Sequence, residues 1–305
     1  MIRANDQLAE DRLIALSELL VAKPEYGKIW FSLPSLNELL APQSPAVRIE
    51  LLNRFRALYS RFGDRVCFLG GRNPLPTVCA EWSGDRKFMQ MRVDAIDDVI
   101  QDSIAAGDLV GVLKSSHEAW MIDRERLWKL HSEKVTEFQA LYAGDAEFRR
   151  AFKANIELLG TVNALDQCDD LALQLIVDFA KRPAEDLEKA KANPGDYPCT
   201  WTYALLSRLA DYAASSTKAE WKANYAQYGR LLKADQNDYI DAYIAATGGG
   251  CGMLITNDEG LIDKLNFLHD VQPPLIRLQG FTVYDALIGY NPPNGDKRDR
   301  SKPIP

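Results

Sequence analysis

The sequence predicts an α/β protein with a central, mainly parallel sheet, to which a large all-helical insertion is added. Near both ends of the chain, short apolar segments alternate with amphipathic helical patterns. This alternation is typical of parallel sheets covered by helices. The long segment between the two ends carries helical patterns almost throughout. Glycine turns such as Gly70-Gly71 and Gly248-Gly249-Gly250 separate the elements.

The N-terminal α/β part begins with a helix, because leucines recur at helical spacing in residues 7–22. The apolar run 28–33 is short enough for a strand, and residues 36–40 then predict a second helix. Apolar residues at helical spacing predict a third helix at 46–62. The short apolar run 65–69 predicts a second strand.

The middle of the chain, from about residue 86 to residue 234, has almost exclusively helical signals. After residue 235 the alternation returns as a helix, a strand at 253–256, a helix at 258–267 and a strand near 275–278. We therefore predict three parts, which are a discontinuous α/β domain of residues 1–70 and 235–290, a helical insertion of residues 71–234, and a mobile tail of residues 291–305.

The composition narrows the class of function. The formal net charge is −7, whereas a general polyanion binder is usually basic. The negative charge does not exclude a nuclease, since a bound metal can supply local positive charge. No apolar run approaches the roughly 20 residues that span a bilayer, and residues 1–6 lack a secretory pattern. We expect a cytoplasmic protein without membrane contact.

Acidic residues occur where a sheet protein would bind a cation. Asp238 and Asp241 are three apart and share one helix face. Thr256 and Asp258 follow a predicted strand, and Glu38 follows another. Ligands of open α/β sheets bind beyond the carboxyl ends of strands. If the two strands run parallel, Glu38, Asp241 and Asp258 converge on one rim, where oxygen ligands suit a hard divalent cation.

Each acid also has a purely structural interpretation, which the sequence leaves open. Glu38 and Ser35 have the spacing of a capping box, so Glu38 can serve only to cap its helix. Asp258 suits the positive end of a helix macrodipole. Asp238 and Asp241 can solvate an exposed helix face.

Three segments resemble the PIN-domain family of metal-dependent ribonucleases: Asp241–Thr247, Leu254–Asp258, and Phe31–Glu38. The resemblance covers roughly residues 7–70 and 235–285 and implies a PIN-like three-layer fold. It also implies a site for Mg²⁺ or Mn²⁺ that hydrolyses RNA phosphodiester bonds. In that site Glu38, Asp241 and Asp258 would be the catalytic metal ligands, and the accessory residues would be Asp238, Thr256 and Asn257.

One departure from the family pattern concerns the start of the chain. PIN domains begin with an apolar strand that ends in an Asp, but here only Ile2 precedes Arg3, and nothing apolar leads into Asp6. We expect the first strand and its acid to be absent from this chain. Their loss would expose strand edges and remove core area, and it would impair activity or stability.

The leading functional hypothesis is a PIN-like endoribonuclease, of the kind found in toxin–antitoxin systems. The helical insertion would bind RNA or a protein inhibitor, or would form a homo-oligomer. Candidates for phosphate contacts are Lys222, Arg230 and Lys233, and those for base stacking are Trp201, Tyr203, Trp221, Tyr225 and Tyr228. The alternatives are a catalytically impaired scaffold that binds protein or RNA, and a structure-specific DNase.

Overall fold

The computed structural model describes most of the chain, namely residues 7–23, 27–41, 43–69, 75–84, 90–159, 162–215, 235–256, 258–271, 276, 278–281 and 286. Most of these residues are helical. The α-helices are α1 (Gln7–Ala22), α2 (Leu33–Leu40), α3 (Pro45–Tyr59), α4 (Leu75–Ser83), α5 (Val93–Ala106), α6 (Gly111–Gly144), α7 (Ala146–Leu159), α8 (Asp169–Gln174), α9 (Asp186–Ala192), α10 (Pro198–Ser215), α11 (Asp238–Thr247) and α12 (Glu259–Val271). The predicted tail, 291–305, lies outside the described residues.

The strands are short and form two separate sheets. They are β1 (Ile29–Ser32), β2 (Val66–Leu69), β3 (Gln90–Met91), β4 (Met253–Ile255) and β5 (Gln279–Phe281). In the first sheet β1 pairs with β2 in parallel, and β2 pairs with β3 antiparallel. In the second sheet β4 pairs with β5 in parallel. Strands β1, β2 and β4 therefore form close to their predicted positions.

The predicted fold class is wrong. The sequence predicted a PIN-like three-layer α/β fold around one central, mainly parallel sheet, but the described residues form a mostly helical protein with two small sheets. Strand β4 pairs with β5 and not with β1. Strands of two to four residues present too few side chains to build a core, so helices supply most of the buried apolar surface. Among the described residues, β1 and β4 therefore do not share the sheet edge that was predicted.

An aromatic cluster holds the first sheet against the helices around it. The ring of Phe31 on β1 lies 5.3 Å from Phe55 and 5.9 Å from Phe68. Tyr59 meets Phe68 edge-on at 5.3 Å. Edge-to-face contacts at these distances add to the stabilisation that burial provides. This sheet and helices α1, α2, α3 and α5 share one buried cluster.

A second buried cluster is helical and includes the other sheet. Trp201 of α10 is fully buried, and Trp82 of α4 stacks on Tyr197 with ring centroids 4.1 Å apart. Leu261 and Leu265 of α12 belong to the same cluster. Residues of the predicted insertion and of the predicted α/β domain thus share one core. The division into a discontinuous domain and an insertion stays a prediction.

Two glycines allow elements near the C-terminus to approach each other closely. A Cβ atom on Gly249 would lie 2.8 Å from the Cα atom of Cys199, so the turn after α11 touches the first turn of α10. A Cβ atom on Gly280 would lie 2.9 Å from the Cα atom of Ile262, so β5 lies directly on α12. These contacts fix α11, β4 and α12 relative to α10. Among the described residues, no helix has both the length and the apolar character to cross a membrane.

Candidate functional site

Helix α11 carries the acids of the candidate site on a tightly packed support. Its alanines Ala242, Ala245 and Ala246 are fully buried. The helix packs mainly on α10 and also on α6. Small side chains let helix axes approach closely, so the backbone of α11 is held on two sides. Asp238 and Asp241 lie in its first turn and are therefore rigidly placed.

Asp238 is fully engaged within the protein. Its side chain is 1% exposed and forms an ion pair with the ammonium of Lys264 on α12. Its other carboxylate oxygen, Oδ2, accepts a hydrogen bond from the backbone N–H of Asp235 at 3.0 Å. Burial raises the pKa of this carboxyl, whereas Lys264 lowers it. Since both oxygens already have partners, Asp238 does not solvate an exposed face.

The carboxyl of Asp241 is subject to the negative charge of Asp258. Burial raises the pKa of the Asp241 carboxyl well above its usual range, and the negative charge of Asp258 raises it further. The charges of Asp238 and Asp235 also raise the pKa of Asp241, whereas the charge of Lys264 lowers it. The loop after β4 and the first turn of α11 therefore bring two of the three predicted metal ligands into one region. Their role as ligands stays a prediction.

Asp258 also caps the helix that follows it. Its Oδ1 accepts a hydrogen bond from the backbone N–H of Leu261 at 2.9 Å. Its own N–H donates to the hydroxyl of Thr256 at 3.2 Å. Asp258 is therefore the N-cap of α12, a role that the sequence analysis did not assign to it, although its position at the positive end of the helix is as expected. The predicted accessory residue Asn257 lies outside the described residues. Among the described residues, the cap engages Oδ1 of Asp258.

Glu38 is bound to helix α6. Its Oε2 accepts a hydrogen bond from the indole N–H of Trp120 at 2.9 Å, and Arg124 Nε donates to its Oε1 at 3.1 Å. The guanidinium of Arg124 also stacks on Trp128, 3.8 Å from the ring centroid. Glu38 is not among the charged groups with the largest effect on the pKa of Asp241. The structure thus gives Glu38 a cationic partner of its own.

The capping interpretation of Glu38 is wrong. The residue that caps α2 is Ser32, whose hydroxyl accepts a hydrogen bond from the backbone N–H of Ser35 at 3.1 Å. Helix α2 therefore begins at Leu33, before the predicted Ser35. The side chain of Glu38 reaches α6 instead of its own helix terminus.

Sequence reasoning missed two residues of this region, His131 and Lys264. His131 of α6 is 8% exposed, and its Nδ1 has no hydrogen-bond partner among the residues that the structure describes. Burial lowers its pKa, while Asp238 and Asp235 raise it. Lys264 carried a usable signal, because it lies in the apolar stripe of α12. A charged residue in such a stripe predicts a buried counter-ion. For His131 the sequence contains no comparable signal.

The candidate RNA-contacting residues are only partly described. Lys222, Arg230 and Lys233 lie outside the described residues, as do Trp221, Tyr225 and Tyr228. Trp201 is fully buried, and its indole N–H donates to the carbonyl of Ala190 at 3.4 Å. Trp201 is therefore a core residue and does not stack on bases.

The fit of the region to Mg²⁺ or Mn²⁺ rests on two carboxylates. Among the described residues, no three His, Cys, Asp or Glu side chains form a group arranged to hold a metal ion. Mg²⁺ commonly binds through one or two carboxylates and completes its shell with water and substrate phosphate. Asp241 and Asp258 supply that minimum, since neither carries an ion pair in the described region. Glu38 and Asp238 form ion pairs with Arg124 and Lys264 instead, and their part in a metal site stays a prediction.

Known proteins add nothing to this picture. Comparisons with models of protein families, with curated proteins and with solved structures found no match.

Proposed function

We propose that this chain is a divalent-metal-dependent nuclease that hydrolyses RNA phosphodiester bonds, with Asp241 and Asp258 as its metal ligands. The observation that carries the proposal is the electrostatic coupling of these two carboxyls, one in the first turn of α11 and the other just after β4. Burial and like charge make ionisation of Asp241 unfavourable, and a shared cation would relieve both costs. Perturbed acids of this kind concentrate at functional sites.

The residues of the site have separate tasks in this proposal. Asp241 and Asp258 would hold the cation and, through it, a substrate phosphate. Such an ion makes an attacking water more acidic and offsets the charge of the phosphate. The Thr256 hydroxyl accepts the Asp258 N–H and so fixes the loop. The Lys264–Asp238 pair anchors the first turn of α11 to α12.

The local segments support the proposal better than the overall architecture does. Both ligands lie in the stretches that resemble PIN-domain nucleases, Asp241–Thr247 and Leu254–Asp258. The described residues do not form the family's three-layer fold around one sheet, and Glu38 has other partners. Function is carried by a site and not by a fold, so the proposal depends on those two segments.

The test is cleavage of a labelled single-stranded RNA by the purified chain. Cleavage in Mn²⁺ that stops in EDTA is expected, with a parallel single-stranded DNA and DNA hairpins to detect a DNase. Asp241→Asn should reduce the rate at least about 100-fold. Asp102→Asn, an exposed acid on α5, is the matched control and should leave the rate unchanged.

Loss of activity through unfolding can be separated from loss of the ligand. Asn at position 241 removes a carboxyl whose ionisation the fold disfavours. D241N should therefore unfold at the same temperature as the unaltered chain or higher, as measured by circular dichroism. An inactive D241N with a lower unfolding temperature would count against the proposal, as would unaltered cleavage by D241N.

The second candidate is a non-catalytic module that binds RNA or protein. The observation that favours it is the neutralisation of Glu38 by Arg124 and of Asp238 by Lys264. With two of four carboxylates engaged, the region has fewer open ligands than the resemblance implies. RNA retention in a gel-shift assay without cleavage in Mg²⁺ or Mn²⁺ would favour this candidate over the nuclease.

A further inference from the structure

Lys264 is an unusual residue for its position. It lies on the buried side of α12, close to Leu261, Leu265 and Leu268, and is 5% exposed. Lysine is seldom fully buried unless it is paired. Here the ammonium forms an ion pair with Asp238, whose side chain is 1% exposed. Both charges have therefore been taken out of water, and each depends on the other.

The ammonium acts on more than its direct partner. It stabilises the charged form of Asp241 as well as that of Asp238. It also lowers the pKa of the imidazole of His131, a residue of α6. Three helices, α6, α11 and α12, thus direct ionisable groups at the same fixed positive charge. A mobile cation in that place would make the same interactions.

We infer that Lys264 is a built-in counter-ion, which takes up one cation position among these acids and limits the site to a single divalent ion. Its ammonium occupies Asp238 Oδ1, and the Asp235 N–H occupies Oδ2. The ammonium thus neutralises Asp238 and makes it a weaker ligand for an ion held by Asp241. The inference rests on the proposed function only for the role of that remaining ion. Lys264 is a positioning residue and touches no substrate.

The test replaces the ammonium with a neutral group of similar length. In Lys264→Gln, Asp238 loses the positive charge of its partner, so its carboxylate becomes a stronger ligand beside Asp241. The affinity for Mn²⁺, measured by electron paramagnetic resonance of the free ion, should rise at least about tenfold over the unaltered chain. Lys264→Arg keeps the charge and should show no such gain. The double variant Asp238→Asn with Lys264→Gln lacks the freed carboxylate and should also show no gain.

Folding of K264Q provides a second readout, because an unpaired buried carboxylate destabilises the protein. If K264Q is unfolded without metal, Mn²⁺ should refold it, as followed by circular dichroism, since binding to the native state shifts the folding equilibrium. Failure of Mn²⁺ to refold it would overturn the inference. Equal Mn²⁺ affinities for folded K264Q and the unaltered chain would also overturn it.

The inference and the proposed function fail in different experiments. If the unaltered chain binds no Mn²⁺ and K264Q does, Lys264 is the counter-ion and the nuclease proposal fails. If the unaltered chain binds Mn²⁺ and cuts RNA, while K264Q gains no affinity, the nuclease proposal stands and the counter-ion role is refuted.

Discussion

Glu81 gives the prediction with the most definite magnitude. This residue of α4 caps α10, the helix that supports the candidate site. Its carboxylate accepts the backbone N–H of Thr200 at 2.9 Å, the Thr200 hydroxyl at 2.8 Å, and the N–H of Cys199. Burial raises the pKa of the carboxyl from 4.5 to about 7, although these hydrogen bonds lower it.

The raised pKa makes the stability depend on pH. The stabilisation associated with Glu81 is complete below the unfolded-state pKa of about 4.5, and it is lost as the pH rises through about 7. At about 1.4 kcal/mol for each pH unit, the whole difference is about 3 kcal/mol. Most of it, about 2–3 kcal/mol, falls between pH 5 and pH 8.

Glu81→Gln should remove this dependence, because the amide keeps an acceptor oxygen and does not ionise. Urea unfolding at pH 5 and pH 8 would measure it. The stability of the unaltered chain relative to E81Q should fall by about 2–3 kcal/mol over that range. Glu137→Gln on the exposed face of α6 should show no such difference. Parallel pH dependences for the unaltered chain and E81Q would refute the reasoning.

Three further changes test the packing around the site. Tyr239→Phe removes a buried hydrogen bond to Asp211 and should cost about 1–3 kcal/mol in urea unfolding, because the carboxylate loses a partner; an unchanged midpoint would contradict this. Trp201→Ala empties a fully buried site and should cost about 3–5 kcal/mol, whereas the exposed Met121→Ala should stay within about 0.5 kcal/mol; equal effects would refute the core assignment. Glu38→Gln should lower stability by about 1 kcal/mol, because the ion pair with Arg124 is lost. It should change the Mn²⁺ affinity less than about twofold. A large loss of affinity would instead identify Glu38 as a metal ligand.

Local structure followed from the sequence where neighbouring residues determine it. Strands β1, β2 and β4 lie within one or two residues of their predicted positions. A structural role for Asp258 at the positive end of α12 was among the alternatives, whereas its side-chain cap of that helix was not predicted. Apolar spacing over many turns predicted the helices of the middle segment.

Pairing between distant segments did not follow from the sequence. The prediction that β1 and β4 join one sheet required a contact between segments far apart in the chain. The residues of a short strand do not specify its partner strand, and β4 pairs with β5 instead. Glu38 lies 82 residues from Trp120 and 86 from Arg124 in the sequence. Residue spacing predicts only local neighbours, so it could not predict these partners. Lys264 could have been found, because a lysine inside an apolar stripe requires a buried acid.

The claim that Asp241 and Asp258 hold a shared divalent ion is tested most directly by Mn²⁺ binding. A titration followed by electron paramagnetic resonance would compare the unaltered chain with Asp241→Asn, Asp258→Asn and the exposed control Asp102→Asn. We expect one bound ion in the unaltered chain and in D102N, and at least about tenfold weaker binding in both ligand variants. No binding by the unaltered chain, or equal binding by all four proteins, would contradict the claim.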